Sequence, residues 1–276
     1  MKALGDHFRS LDARYHGPEG DRFALEELAP VAARFLPADG RALEVGCGYG
    51  RNLMALASLP SRAVVGCDPW FATLQRAMSE RLATLPAERR ARVAIVRQED
   101  ARLPFRDGSF DLVVLWQVLE HVHGQKAKQA LLDDVVRVLK PGGHVLIETP
   151  NQWFPFDYHD NKLPLVHWLL PSKAREWLTW KVRGDRYTPS DYRSVGGYAA
   201  LLSRAPGVTK ARKATRVYFA RSYGEAWRHL AGTQIGLKRV LFVLLAPVHV
   251  LLAPFGGSAD WFLPSVRVVW QVEKGR

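Results

Sequence analysis

The segment Leu43-Glu44-Val45-Gly46-Cys47-Gly48-Tyr49-Gly50 constrains this chain more than any other. An apolar, β-rich run, Arg41–Gly46, enters a Gly-x-Gly-x-Gly turn, and a helix-forming stretch, Gly50–Ser58, follows. Glycines permit the tight turn and let a ligand come close to the main chain. Such a turn alone could serve a dinucleotide. The dinucleotide fingerprint G-x-G-x-x-G, however, needs a glycine in its sixth place, and Asn52-Leu53 continue the segment instead. Glu44, on the strand itself, would repel a pyrophosphate and suits a ligand carrying a positive amino group.

What surrounds this turn is an alternation of strand-like and helix-like runs. Ala63–Asp68 reads as a strand, Phe71–Leu85 as a helix ended by Pro86, and Val93–Arg97 as a strand. Phe110–Val118 is a continuous apolar run, as a buried parallel strand should be. Gly124–Leu139 is helical and stops at Lys140-Pro141-Gly142-Gly143, before the strand His144–Glu148. This spacing predicts βαβ units and a Rossmann-like α/β fold, a mostly parallel sheet with helices on both faces. The pattern then breaks. Residues 151–189 are rich in Trp, His, Pro and Phe without a period. Ser190–Arg204 reads as a helix, and Thr215–Ala220 and Val266–Val272 as an antiparallel pair of edge strands. Between that pair lies an apolar insertion, residues 222–264, which should form one or two helices. We therefore expect one domain over residues 1–276 with two insertions.

Further acids mark the same edge of the sheet. Asp68 ends the second strand about twenty residues after the glycine turn, where a carboxylate accepts from both hydroxyls of a ribose. Gln98-Glu99-Asp100-Ala101 follows the third strand, and Trp116-Gln117-Val118-Leu119-Glu120-His121 the fourth. Leu139-Lys140-Pro141-Gly142-Gly143 precedes the fifth. In this order and spacing the set resembles the class I S-adenosylmethionine-dependent methyltransferases, in the branch with the ubiquinone and menaquinone methyltransferases. The resemblance covers about Tyr15 to Asn151. It implies a seven-stranded sheet with one reversed strand and S-adenosyl-L-methionine as cofactor. It also implies that Gly46, Gly48 and Gly50 flank the methionine and ribose. Glu44 would hold the amino group through water, Asp68 the ribose and Asp100 the adenine amino group, with Pro69, Ala101 and Gln117 completing the cofactor site.

Methyl transfer from a sulfonium is an in-line displacement, so the chain's task is to align atoms about 3 Å apart. An oxygen nucleophile must also lose a proton, which a nearby imidazole accepts at neutral pH. His121, directly after the fourth strand, is the leading candidate base, with His159 second. Trp153 and His167 are candidate substrate contacts, because family insertions after the fifth strand lie over the acceptor, and Tyr15, where the resemblance begins, is a third candidate. Metal-assisted relatives pair two carboxylates with two histidines. Gln117 stands where the first carboxylate would be, so no metal is expected. No Asn/Asp-Pro-Pro-Tyr/Phe motif or Pro-Cys nucleophile marks a DNA or pyrimidine-carbon methyltransferase.

Charge and composition bound the partners. The chain is an ordinary globular mixture, 47% hydrophobic and 24% charged. Its net charge is +12, and fifteen Lys or Arg against four Asp or Glu fall between Pro171 and Val240. Cys47 and Cys67 sit in apolar runs and read as reduced and buried. Met1–Leu11 lacks the apolar core of a secretory signal, which predicts a cytoplasmic protein. Val240–Phe255 is too short and too interrupted for a membrane span. Behind Lys238-Arg239 it reads as a peripheral contact with an anionic membrane surface, and competing readings are a buried helix or a dimer contact. The expected activity is O-methylation of a small or lipid-linked molecule. The alternatives are an RNA methyltransferase that uses the basic stretch, and an inactive cofactor-binding partner subunit.

Overall fold

A computed structural model of the chain describes residues 18–60, 62–69, 71–98, 102–157, 160, 163–183, 189–216, 218–232, 236–252 and 263–275. The chain opens with helix α1 (Pro18–Phe35), strand β1 (Arg41–Val45) and helix α2 (Arg51–Ala57). Then come β2 (Ala63–Asp68), α3 (Phe71–Ala83), α4 (Ala87–Arg90), β3 (Val93–Arg97), β4 (Phe110–Trp116) and a 3-10 turn, Leu119–His121. The helix α5 (Gln125–Val138) runs straight into β5 (Leu139–Pro150). The first insertion holds the short strands β6 (Phe156–Asp157) and β7 (Leu163–Pro164) and the helices α6 (Val166–Leu169) and α7 (Ser172–Arg183). The chain ends with α8 (Val195–Arg204), β8 (Val208–Lys213), α9 (Tyr223–Gly232), α10 (Gly236–Leu252) and β9 (Ser265–Lys274).

Seven strands form one sheet in the order β3-β2-β1-β4-β5-β9-β8, and β9 alone runs against its neighbours. The winding places β1 beside β4, with β2 and β3 on one side and β5 on the other. A crevice forms where a doubly wound sheet reverses direction, outside the carboxyl ends of the two strands. Alternation along the strands feeds two separate cores. Leu43, Val45, Val113 and Leu115 pack under α5 and α8, while Ala42, Leu112, Val114 and Trp116 pack under α1 and α2. α5 forms because Leu131, Leu132, Val135 and Val136 recur at helical spacing on its buried side.

The expected Rossmann-like sheet is present, with three local differences. Thr215–Ala220 is not a strand. The edge strand is β8, whose exposed basic residues hide its pattern from a hydrophobicity reading and also guard the open edge. Tyr218 and Phe219 instead lie in a tight turn, and Arg216 N–H donates to the Ala220 carbonyl at 2.7 Å. Tyr218 and Phe219 take left-handed φ values of 50° and 66° there. Their rings are buried, which repays backbone strain of order 1–3 kcal/mol per residue. The helix expected from Ser190 starts only at Val195, where the Ser194 hydroxyl caps it by accepting from Gly197 N–H at 3.1 Å. Lys140–Gly143 does not separate helix from strand. It bulges inside β5, between the pairs Phe110↔Leu139 and Leu112↔His144.

Candidate active site

The glycine turn is built as its residues dictate. Gly46, Gly48 and Gly50 all have positive φ, at 71°, 50° and 80°. Gly46 and Cys47 donate to the Cys67 carbonyl at 2.8 and 3.1 Å, which ties the turn to the end of β2. At Gly46 a Cβ would lie 2.6 Å from Val118 Cγ2, so only glycine lets the segment after β4 press against this turn. At Gly48 a Cβ would meet nothing within 4 Å, so this backbone faces open space. Gly48 N–H donates to Asp68 Oδ2 at 2.9 Å, joining the two motifs that the sequence separates by twenty residues.

Glu44 is buried on the α1–α2 side of the sheet, and Asn52 Nδ2 donates to its Oε1 at 2.7 Å. Glu44 Oε2 and Asn52 Oδ1 are buried without a hydrogen-bond partner. Burial pushes the Glu44 carboxyl up to about 8, against the opposing pull of Asn52 and Arg51. A buried acid with an unpaired oxygen beside an open glycine turn fits the cationic amino group of S-adenosylmethionine. Sequence reasoning missed Asn52, whose role depends on the glycine loop bringing the first turn of α2 back onto β1.

Gln117, just past β4, has a left-handed φ of 55° that no local motif announces, and its N–H donates to the Glu148 carbonyl at 2.8 Å. His121 ends the 3-10 turn that follows and is exposed, while its neighbour Glu120 is fully buried and accepts from Thr149 Oγ1 at 2.9 Å. The turn is held from behind. The buried Lys128 ammonium donates to the Val122 carbonyl and pairs with Asp191 at 3.2 Å. Asp191 in turn accepts from Gly124 N–H, and its own N–H donates to the Glu120 carbonyl.

Glu44, Gly46, Gly48, Gly50, Asp68 and Gln117 thus meet at the carboxyl edge, where Pro69 is exposed beside Asp68. Trp153 and His167 meet their partners inside the first insertion. Trp153 stacks edge-on to Trp168 at 6.5 Å, and His167 Nε2–H donates to the Gln152 carbonyl at 3.1 Å. Burial holds the His167 imidazole below its ordinary value. Tyr15, Asp100, Ala101 and His159 lie outside the described residues.

A methyltransferase-domain family model matches residues 43–147, the span from β1 to β5. A ubiquinone biosynthesis O-methyltransferase from Idiomarina loihiensis is 30% identical over 184 residues, covering 64% of this chain and 68% of the relative. A tRNA N(3)-methylcytidine methyltransferase from Drosophila melanogaster is 32% identical over 126 residues, covering 44% of this chain and 38% of the relative. The chain spans less than half the length of the first curated relatives it matches. A solved S-adenosylmethionine-dependent methyltransferase from Methanosarcina mazei shares the fold, with TM-score 0.54 and 17% identity over 90% of this chain and all of that one. The fold and the edge site together define a class I nucleotide-cofactor enzyme scaffold. The chain belongs to the S-adenosylmethionine-dependent methyltransferase family, and its cofactor is S-adenosylmethionine.

Two results are expected at the cofactor residues. Asp68→Ala should weaken S-adenosylmethionine by about 1–3 kcal/mol, because it removes a charged acceptor. Gly48→Val should weaken it more, since a branched side chain would fill the open space before the turn in a backbone region it disfavours. Unchanged affinity in both, measured by calorimetry, would remove the turn from the site.

Binding should also be linked to protons through Glu44. Near pH 7 its carboxyl is mostly protonated in the free protein, given a value of about 8. A cationic amino group nearby favours the ionised form, so binding should release up to one proton there. Affinity should therefore rise from pH 6 to about 8, where the ligand's own amino group begins to lose its charge. Calorimetry in buffers of different ionisation enthalpy reads the proton count, and Glu44→Gln should abolish the release. Equal heats in all buffers would contradict this assignment.

Proposed function

We propose that this protein transfers a methyl group from S-adenosylmethionine to a hydroxyl of a small or lipid-linked molecule. The observation that carries this reading is the placement of His121. It is exposed at the end of the one-turn helix that follows Val118, the residue packed against Gly46, and this nearness in the chain supports an imidazole working beside the cofactor turn. The cofactor supplies an electrophilic methyl on a sulfonium sulfur. Glu44, Asn52 and Asp68 bind and orient it, and the glycine turn gives it access to the main chain. His121 takes the proton of the acceptor hydroxyl as the oxygen becomes a nucleophile. The Lys128–Asp191 pair keeps the His121 turn in register with the sheet edge. A phenolic or amphiphilic acceptor suits this arrangement, and the ubiquinone O-methyltransferase relatives point the same way.

A second reading, methylation of RNA, is favoured by the basic stretch and by the tRNA methyltransferases among the relatives. Mass spectrometry of a lipid and small-molecule extract incubated with the protein and isotope-labelled cofactor separates the two. A labelled O-methyl product supports the first reading. Label found only in RNA, with binding that falls steeply with salt, supports the second.

A further inference from the structure

Helix α10 presents its apolar side outward. Among the residues whose burial is described, Val240, Val243, Leu244, Pro247, Val250 and Leu251 are exposed, with Leu244 and Leu251 at 66% and 70%. At about 100° per residue these six fall within an arc of about 120°. The opposite side holds the helix to the protein. Leu245 packs against the cluster of Tyr218, Ala220, Ala226 and Leu263, and the His249 ring lies 4.8 Å from that of Tyr223. A surface helix ordinarily buries its apolar stripe. This one is anchored by the other side and leaves the stripe free, so the reading of Leu244 and Leu251 as core residues does not hold.

We propose that this stripe docks on the surface of an anionic lipid bilayer, with α10 lying in the interface plane. Three observations select that occupant. Cations adjoin the two helices in the chain: Lys238-Arg239 immediately precede the stripe in sequence, and exposed Arg216 and Arg221 lie just before α9. Residues 171–240 carry fifteen Lys or Arg against four acids and, buried Arg175 aside, this excess favours anionic headgroups over a second copy of the same chain. Trp227 on α9 is exposed, as an interfacial anchor should be. Finally, seventeen residues span about 25 Å as a helix, and no described helix is long and apolar enough to cross a membrane. An apolar stripe with cations beside it in the chain and too little length to span is suited to lying on the surface.

The geometry also relates this surface to the active site. The second insertion rejoins the sheet at Ser265, opposite Pro150, and Asn151 donates to the carbonyls of Leu263 and Pro264 at 2.9 and 3.0 Å. Both insertions therefore leave the sheet at its carboxyl edge, the edge that carries the glycine turn. The first insertion adds exposed Trp153, Trp168 and Leu169.

The inference goes beyond the catalytic reading and fails separately from it. The test is co-sedimentation of the full chain with phosphatidylglycerol or phosphatidylcholine vesicles. Binding to the first and little to the second, weakened by salt, is expected. Leu244→Glu with Leu251→Glu should reduce that binding at least about tenfold while cofactor affinity stays unchanged. If the double variant does not fold, Val250→Cys carrying an environment-sensitive dye replaces it. Both native cysteines are buried, and burial raises both thiols, so labelling is selective. A blue shift on phosphatidylglycerol vesicles supports the docking. Absence of vesicle binding by the parent, equal binding by a folded double variant, or a dimer that the double variant dissolves would overturn it.

Discussion

His121→Ala should lower kcat by about 10²–10⁴-fold and leave S-adenosylmethionine affinity nearly unchanged. The expectation rests on separation of tasks at the sheet edge. The residues proposed to carry most of the cofactor binding, Glu44, Gly46, Gly48, Gly50, Asn52 and Asp68, belong to β1, β2, α2 and the glycine loop, whereas His121 stands on the turn after β4. Removing the imidazole leaves water to accept the hydroxyl proton, a weaker base in a less ordered position. The turn itself should survive, because buried Glu120, Thr149 and the Lys128–Asp191 pair hold it from the other side. If His121 only positions the acceptor, KM rises and kcat stays. A variant with normal kcat and normal KM for the labelled product would exclude His121 from the reaction.

Asp160→Ala should destabilise the first insertion by about 3–5 kcal/mol, the range for removing one partner of a buried ion pair. Asp160 is fully buried. Its carboxylate accepts from Ser190 Oγ at 2.7 Å, Ser190 N–H at 2.8 Å and Arg175 Nη2 at 3.1 Å. Arg175 also lies 3.8 Å from Asp157, which accepts from the Tyr192 hydroxyl at 2.7 Å. Truncating Asp160 removes an acceptor of the Ser190 hydroxyl and amide N–H and the nearer ion-pair partner of Arg175, whose Nη2 still donates to the Ser190 carbonyl at 2.9 Å. Asp160→Asn keeps the shape and one acceptor and should lose less. Urea unfolding followed by tryptophan fluorescence measures the difference. A loss below about 1 kcal/mol for Asp160→Ala would mean that water reaches the network and that the insertion is held by its aromatic contacts instead.

The parts legible in the sequence share one physical trait. Strand β2 begins and ends where the apolar run does, because a parallel strand covered on both faces must be apolar almost throughout. The glycine turn was legible because positive φ at three alternate residues leaves few other choices of side chain. β8 was not legible: at an exposed edge, charge protects against pairing and outweighs β-propensity. The turn at Tyr218–Phe219 was misread for the converse reason. Its aromatic residues look like a strand, yet their burial against Trp116 and the α9 cluster is what pays for the backbone strain.

The sequence by itself determined the class of fold, the turn that faces the cofactor, and the acids Glu44 and Asp68, because these follow from spacing along single elements. Only the tertiary structure decided which residues support them. Asn52 finds Glu44, Val118 finds Gly46, and Lys128 finds Asp191 across 8, 72 and 63 residues of chain. The Asp157–Asp160–Arg175–Ser190–Tyr192 network has no period, since its members come from a two-residue strand, loops and one helix and meet only when the insertion closes. The outward face of α10 belongs to the same group. An apolar run of this composition could equally be core, and the choice was made by which side of the helix Leu245 and His249 anchor, a matter of packing that no local pattern contains.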